Sequence, residues 1–168
     1  VLYEAANPSA GIGVLTLNRP DGRNSMTAEL LDTFAVRVQE ARRDPHLRCL
    51  VLTGKGNCFS AGADLKRQIQ RTGETFRLPH EGSFAMYTPF LSLLEVEVPV
   101  VAALNGHAVG GGFGLALLCD VRVGNLASKY GANFTRLGLH PGMAITFTLP
   151  RLIGLPRASE LLYSGRLV

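Results

Sequence analysis

Two glycine-containing stretches of this 168-residue chain have the make-up of backbone anion sites. The first is Cys58-Phe59-Ser60-Ala61-Gly62-Ala63-Asp64-Leu65-Lys66. The second is Asn105-Gly106-His107-Ala108-Val109-Gly110-Gly111-Gly112. Each follows an apolar run that reads as a buried strand, and each leads into a helix start. Backbone N–H groups are left unpaired there, and their partial positive charge favours an anion. Side by side, the two stretches would aim one N–H each at a single oxygen, the arrangement that stabilises the oxyanion formed from a carbonyl. Glycine suits the task because no Cβ obstructs the ligand. The Gly110–Gly112 triplet equally suits close packing of the helix that follows it. Neither stretch is a nucleotide signature. Gly110-x-Gly112-x-Gly114 has the wrong spacing for a dinucleotide fingerprint, and Gly54-Lys55-Gly56 lacks the earlier glycine and following Ser/Thr of a P-loop.

Acids and bases near these stretches are few. His107 and His140 lie next to motif glycines, and each reads first as a hydrogen-bonded structural histidine. Asp64 adjoins the first stretch and equally suits capping a helix. Asp120 ends an apolar helix and reads as structural. Glu74, His80 and Glu81 fall in Arg71 to Gly82, where apolar periodicity fails and a mobile loop is expected. Cys49, Cys58 and Cys119 cannot pair completely and show no CxxC spacing, so zinc or redox chemistry is not expected. The reading is of thiols in a reducing, cytoplasmic compartment.

The elements that must position these residues alternate between strand and helix, which predicts an α/β architecture. Ile12 to Asn18 reads as a strand closed by Arg19-Pro20-Asp21-Gly22. Thr27 caps a helix whose stripe is Leu31, Phe34, Val38 and Ala41, stopped by Asp44-Pro45. Cys49 to Thr53 and Pro99 to Leu104 read as buried strands. Phe84, Tyr87, Leu91 and Leu94 make a helical stripe in which Pro89 predicts a kink or a fresh start. Phe113 to Cys119 reads as a helix, Val121 to Val123 as a strand, Ile145 to Ile153 as an apolar run and Ala158 to Leu162 as a short helix.

Hydrophobic residues at 46% and charged residues at 18% describe a globular chain rather than a disordered one. Lys and Arg are scattered singly despite a net charge of +4. That speaks against nucleic acid and is compatible with a phosphate-bearing small molecule. No apolar stretch reaches the roughly 18 residues of a membrane span. The chain opens at Val1 and stops at Val168 directly after an amphipathic stretch. One domain over residues 1–168 is expected, with a C-terminal part missing.

The combined series is the informative signal: Leu17-Asn18-Arg19-Pro20, Asn24-Ser25-Met26, Phe59 to Lys66, Asn105 to Gly112, Cys119-Asp120 and Leu137-Gly138-Leu139-His140-Pro141-Gly142. In order and spacing it resembles the crotonase (enoyl-CoA hydratase/isomerase) superfamily over nearly the whole chain. The resemblance implies a spiral of repeated ββα units, assembled as a homotrimer or a dimer of trimers. It implies an acyl-CoA thioester as ligand, with coenzyme A entering as part of the substrate and no separate cofactor or metal. Ala63 and Gly111 would supply the oxyanion N–H groups. Ala61, Ala63, Asp64, Leu65 and Gly110 would line the ligand, with Lys66 and Arg23 near its phosphates. Both cations also read as solvated surface charges.

The departure from the family is equally specific. Its hydratases resemble one another in two glutamates that handle water and proton, at positions occupied here by Gly114 and Phe134. Neither residue can activate water or deliver a proton, so standard hydration is not expected. An acyl wall made apolar by Phe134 and roomy by Gly114 is expected to favour bulky acyl groups, unless Phe134 turns into the core. The readings are an acyl-CoA enzyme stabilising a thioester enolate, an acyl-CoA binder without turnover, or a subunit whose glycines serve packing alone.

Overall fold

A computed structural model describes residues 1–64 and 79–168. Leu65, Lys66, Glu74 and most of the aperiodic segment lie outside the described residues. Strand β1 (Leu2–Asn7) turns back through a 3-10 turn to pair antiparallel with β2 (Ile12–Leu17). Strands β3 (Cys49–Gly54), β5 (Val100–Ala103) and β7 (Val121–Val123) then add in parallel, giving the order β1-β2-β3-β5-β7. Inward residues alternate along these strands, with Leu15, Leu17, Leu50, Leu52, Val100 and Ala102 buried, as a sheet covered on one face requires.

A second sheet holds three very short parallel strands in the order β4 (Cys58–Ser60), β6 (His107–Val109) and β8 (Tyr130–Gly131). The pairs β3–β4, β5–β6 and β7–β8 thus repeat one step: a strand in the large sheet, then a short one in the small sheet. This is the expected ββα spiral. The sequence reading took Cys58–Ser60 and His107–Val109 as loop. They are strands, and three residues are too few for periodicity to register.

Helix α1 (Ala28–Arg42) starts as expected, with Thr27 Oγ1 accepting from Leu30 N–H at 3.3 Å. Leu30, Leu31, Phe34, Val38 and Ala41 form its buried row. Helix α2 (Pro79–Leu91) starts inside the segment expected to be loop, and it neither stops nor restarts at Pro89. Its buried row shares Tyr87 with the expected stripe but continues through Phe90 and Leu93, whereas Phe84 and Leu94 are 67% and 63% exposed. Leu93 itself lies in a 3-10 turn at Ser92–Glu95, three residues after Phe90 and on the same side. Phe90 packs edge-on against Phe34 of α1, with ring centroids 4.7 Å apart. Helices α3 (Gly111–Leu118), α4 (Ile145–Ile153) and α5 (Leu155–Ser164) complete the chain. Among the described residues no helix is long and apolar enough to cross a membrane.

Candidate active site at the two glycine turns

The first turn, Ala61 to Asp64, leaves β4 and is held by the segment from Arg23 to Met26. Ala61 N–H donates to the Arg23 carbonyl at 3.0 Å, Met26 N–H to the Gly62 carbonyl at 2.8 Å, and Ser60 Oγ to the Asn24 carbonyl at 2.9 Å. The Asn24 carboxamide anchors that segment. Its oxygen accepts from Arg19 N–H at 2.8 Å, and its nitrogen donates to the Lys55 and Cys58 carbonyls at 3.1 and 2.7 Å. Asn24 is fully buried with φ +50°, a left-handed conformation that Asn tolerates better than most residues. Arg19 donates to Ser25 Oγ and stands 3.6 Å from Asp64 Oδ2, so Asp64 braces the turn from outside.

The second turn, Gly110 to Gly112, leaves β6 and opens α3. Gly110 has φ +57°, and its N–H donates to the Gly131 carbonyl at 2.9 Å. Parallel pairing of β4 with β6, Cys58 opposite His107 and Ser60 opposite Ala108, makes both turns emerge side by side. Gly62, at φ +79°, is the point of closest approach. A Cβ there would lie 2.7 Å from the Val109 carbonyl oxygen and 3.0 Å from the Gly111 nitrogen. Only glycine satisfies both the backbone angle and that gap.

Two committed carbonyls then fix two N–H directions. No described peptide bond is cis, and in a trans peptide the C=O and the following N–H point opposite ways. The Gly62 carbonyl is turned towards Met26 N–H, so Ala63 N–H points away from Met26. The Gly110 carbonyl accepts from Gly114 N–H at 3.0 Å as the first bond of α3, so Gly111 N–H points out of the helix start. Neither N–H donates to another described residue.

The lining differs from expectation. A Cβ on Gly111 would meet Met26 Sδ at 2.6 Å and Tyr87 Cε1 at 3.1 Å. Gly114 opens no extra space, which corrects the expected roomy wall: a Cβ there would run into Met143 Cβ and lie 3.2 Å from Ile145 Cδ1. Met143 is 2% exposed and has a left-handed backbone at φ +56°, which turns it into the notch that glycine leaves. Phe134 is buried in the core, with its ring edge 3.8–3.9 Å from where Gly110 would carry a Cβ. It is therefore part of the core and a neighbour of the second turn at once.

The other candidates sort by their partners. His107 Nδ1 accepts from Lys129 N–H at 2.9 Å, and Asp120 Oδ2 accepts from Val100 N–H at 2.8 Å; both are structural, as expected. His140 is exposed. Arg23 is exposed with its carbonyl holding Ala61, whereas Ala61, Ala63 and Asp64 are half-buried. Cys119 is buried, and burial pushes its thiol up to about 12, so it behaves as the small hydrophobe its apolar run suggests. Sequence reasoning missed Tyr87 as a site residue, placing it only on a helical stripe. It missed Met143 altogether, because nothing marks a left-handed methionine in a sequence. Burial holds the Tyr87 phenol above the ordinary tyrosine range.

This fold recurs in solved structures. The chain superposes on an enoyl-CoA hydratase of Bacillus anthracis with a TM-score of 0.88 at 34% identity, covering 99% of this chain and 63% of that one. A crystal structure from Mycobacterium abscessus matches with a TM-score of 0.90 at 31% identity, over 99% of this chain and 64% of that one. Residues 7–168 match the family model described as Enoyl-CoA hydratase/isomerase, and the chain belongs to that family. It is 40% identical to YngF of Bacillus subtilis over 159 residues, 94% of this chain and 60% of YngF. The chain thus spans about three fifths of the length of these relatives.

Proposed function

We propose that the chain binds an acyl-CoA thioester and stabilises its enolate-like form with the N–H groups of Ala63 and Gly111. The observation that carries this reading is the pair of committed carbonyls, Gly62 on Met26 and Gly110 on Gly114, which leaves two neighbouring N–H groups without an acceptor among the described residues. Donors fixed before the ligand arrives cost no reorganisation as charge develops on the oxygen. Ala61, Asp64 and Gly110 line the ligand beside them, and Leu65, Lys66 and Arg23 serve the coenzyme A portion. No separate cofactor is needed, and the protein works as a soluble cytoplasmic homotrimer or dimer of trimers.

The reaction is not standard hydration. Gly114 and Phe134 carry no titratable group, and Met143 fills the volume that a longer side chain at position 114 would need. Isomerisation, hydrolysis or decarboxylation uses the same oxyanion. The second reading, binding without turnover, draws on the same Met143 observation.

One ligand pair tests the proposal. Butyryl-CoA and its thioether analogue, butyl-CoA, differ in the carbonyl alone. The thioester should bind about ten times more tightly in calorimetry, as two backbone hydrogen bonds of ordinary strength imply. Equal affinities would remove the oxyanion assignment. Turnover across a panel of acyl-CoA thioesters then separates the enzyme from the silent binder.

A further inference from the structure

Three successive peptide groups of the first turn are tied to the segment from Arg23 to Met26. The Ser60–Ala61 peptide is tied by Ala61 N–H on the Arg23 carbonyl at 3.0 Å, and the Gly62–Ala63 peptide by Met26 N–H on the Gly62 carbonyl at 2.8 Å. Both ties are backbone to backbone. The peptide between them is held by a side chain: Gly62 N–H donates to Ser60 Oγ at 3.3 Å. That hydroxyl commits its own hydrogen to the Asn24 carbonyl at 2.9 Å, so a lone pair is left to face Gly62. Ser60 is fully buried, and the start of α3 lies against it. A Cβ on Gly112 would be 2.6 Å from Ser60 Cβ and 2.7 Å from Oγ. The hydroxyl is therefore boxed in by the second turn while it bonds the first, and no solvent reaches it to take its place.

The middle tie matters because of the residue it precedes. Both backbone dihedrals of a glycine are soft, and those of Gly62 set the direction of the Ala63 N–H relative to the peptide before it. Fixing that direction requires both flanking peptides to be held, one by Met26 and the other by Ser60. We infer that Ser60 is a positioning residue for the oxyanion site, its hydroxyl locking the Ala61–Gly62 peptide so that the Ala63 N–H keeps its aim at the carbonyl oxygen. The inference rests on the reading that the thioester carbonyl sits at Ala63 and Gly111. Being fully buried, Ser60 acts through Gly62 rather than on the ligand. It sets the aim of one donor, whereas the spacing of the two turns is a matter of backbone contact at Gly62.

The test is calorimetric titration of butyryl-CoA and butyl-CoA into the full chain and into Ser60→Ala. The substitution removes one oxygen and leaves the backbone ties at Arg23 and Met26 in place. The wild type should prefer the thioester about tenfold, and Ser60→Ala should reduce that preference to about threefold or less, as the loss of one hydrogen bond of two implies. Butyl-CoA, which offers no carbonyl, should bind both proteins within about twofold. A role in stability alone would lower both affinities together and leave their ratio as in the wild type. That outcome, or an unchanged preference at unchanged affinity, overturns the inference and leaves the thioester reading intact. If Ser60→Ala does not fold by circular dichroism, Ser60→Cys is read in the same way, since it keeps the volume and puts a weakly bonding thiol in place of the hydroxyl. Equal affinities in the wild type overturn the thioester reading, and this inference with it.

Discussion

The two turns reach the same end, an N–H aimed away from a committed carbonyl, by opposite means. The first is held by side chains from far along the chain. Asn24 bonds the Cys58 carbonyl from 34 residues away, Ser60 bonds back to the Asn24 backbone, and Arg19 reaches Asp64. The second is held by its own backbone, through Gly131 on one side and the first bond of α3 on the other, and by the bareness of its glycines. One turn depends on what side chains supply, the other on what they leave out. Polar substitutions should therefore damage the first turn, and added carbon should damage the contact between them.

The largest effect is expected at that contact. Gly62→Ala places a methyl group 2.7 Å from the Val109 carbonyl oxygen at φ +79°. Overpacking against backbone together with a left-handed alanine should cost about 3 kcal/mol, read as a lowered urea midpoint at constant m-value. A midpoint within error of wild type would mean that the turns are not so closely apposed. Next comes Asn24→Ala, which strands the Arg19 N–H and two carbonyls in a buried place. About 2 kcal/mol should be lost, and Asn24→Asp should not restore it, because a carboxylate cannot donate to Lys55 and Cys58. A harmless Asn24→Asp would show that the acceptor half of the carboxamide is the only part that matters. Smallest is Asp64→Asn. Its 3.6 Å pairing with a partly exposed Arg19 should be worth less than about 0.5 kcal/mol. A loss several times larger would make Asp64 a principal brace of the first turn rather than an outer one.

Much of this was legible in the residue order, and what was not has physical causes. Helix α1 announced itself because Thr27 and a stripe of buried residues repeat over four turns. The strands β2, β3 and β5 are long enough for β-branched and apolar residues to stand out. The motif glycines marked both turns, but not the strands β4 and β6 inside them, whose pairing comes from tertiary contact rather than propensity. The α2 face was misread because apolar residues stand in pairs there, Phe90-Leu91 and Leu93-Leu94, so more than one stripe fits the spacing. Met143 was invisible for a different reason. Its left-handed backbone lies in the turn closed by Ile145 N–H on the Gly142 carbonyl, and only the fold reveals that its side chain fills the notch at Gly114. The strand Leu2–Asn7 was also not anticipated, since its residues are mostly exposed and show no alternation.

The contact of Gly62 with the Gly111 nitrogen acts as a gauge. Backbone alone sets the separation of the two turns at that point, since a Cβ on Gly62 would already reach the Gly111 nitrogen. Side chains around the two turns can then be exchanged without altering how closely the turns approach. Such a frame keeps its spacing whatever side chains stand around it.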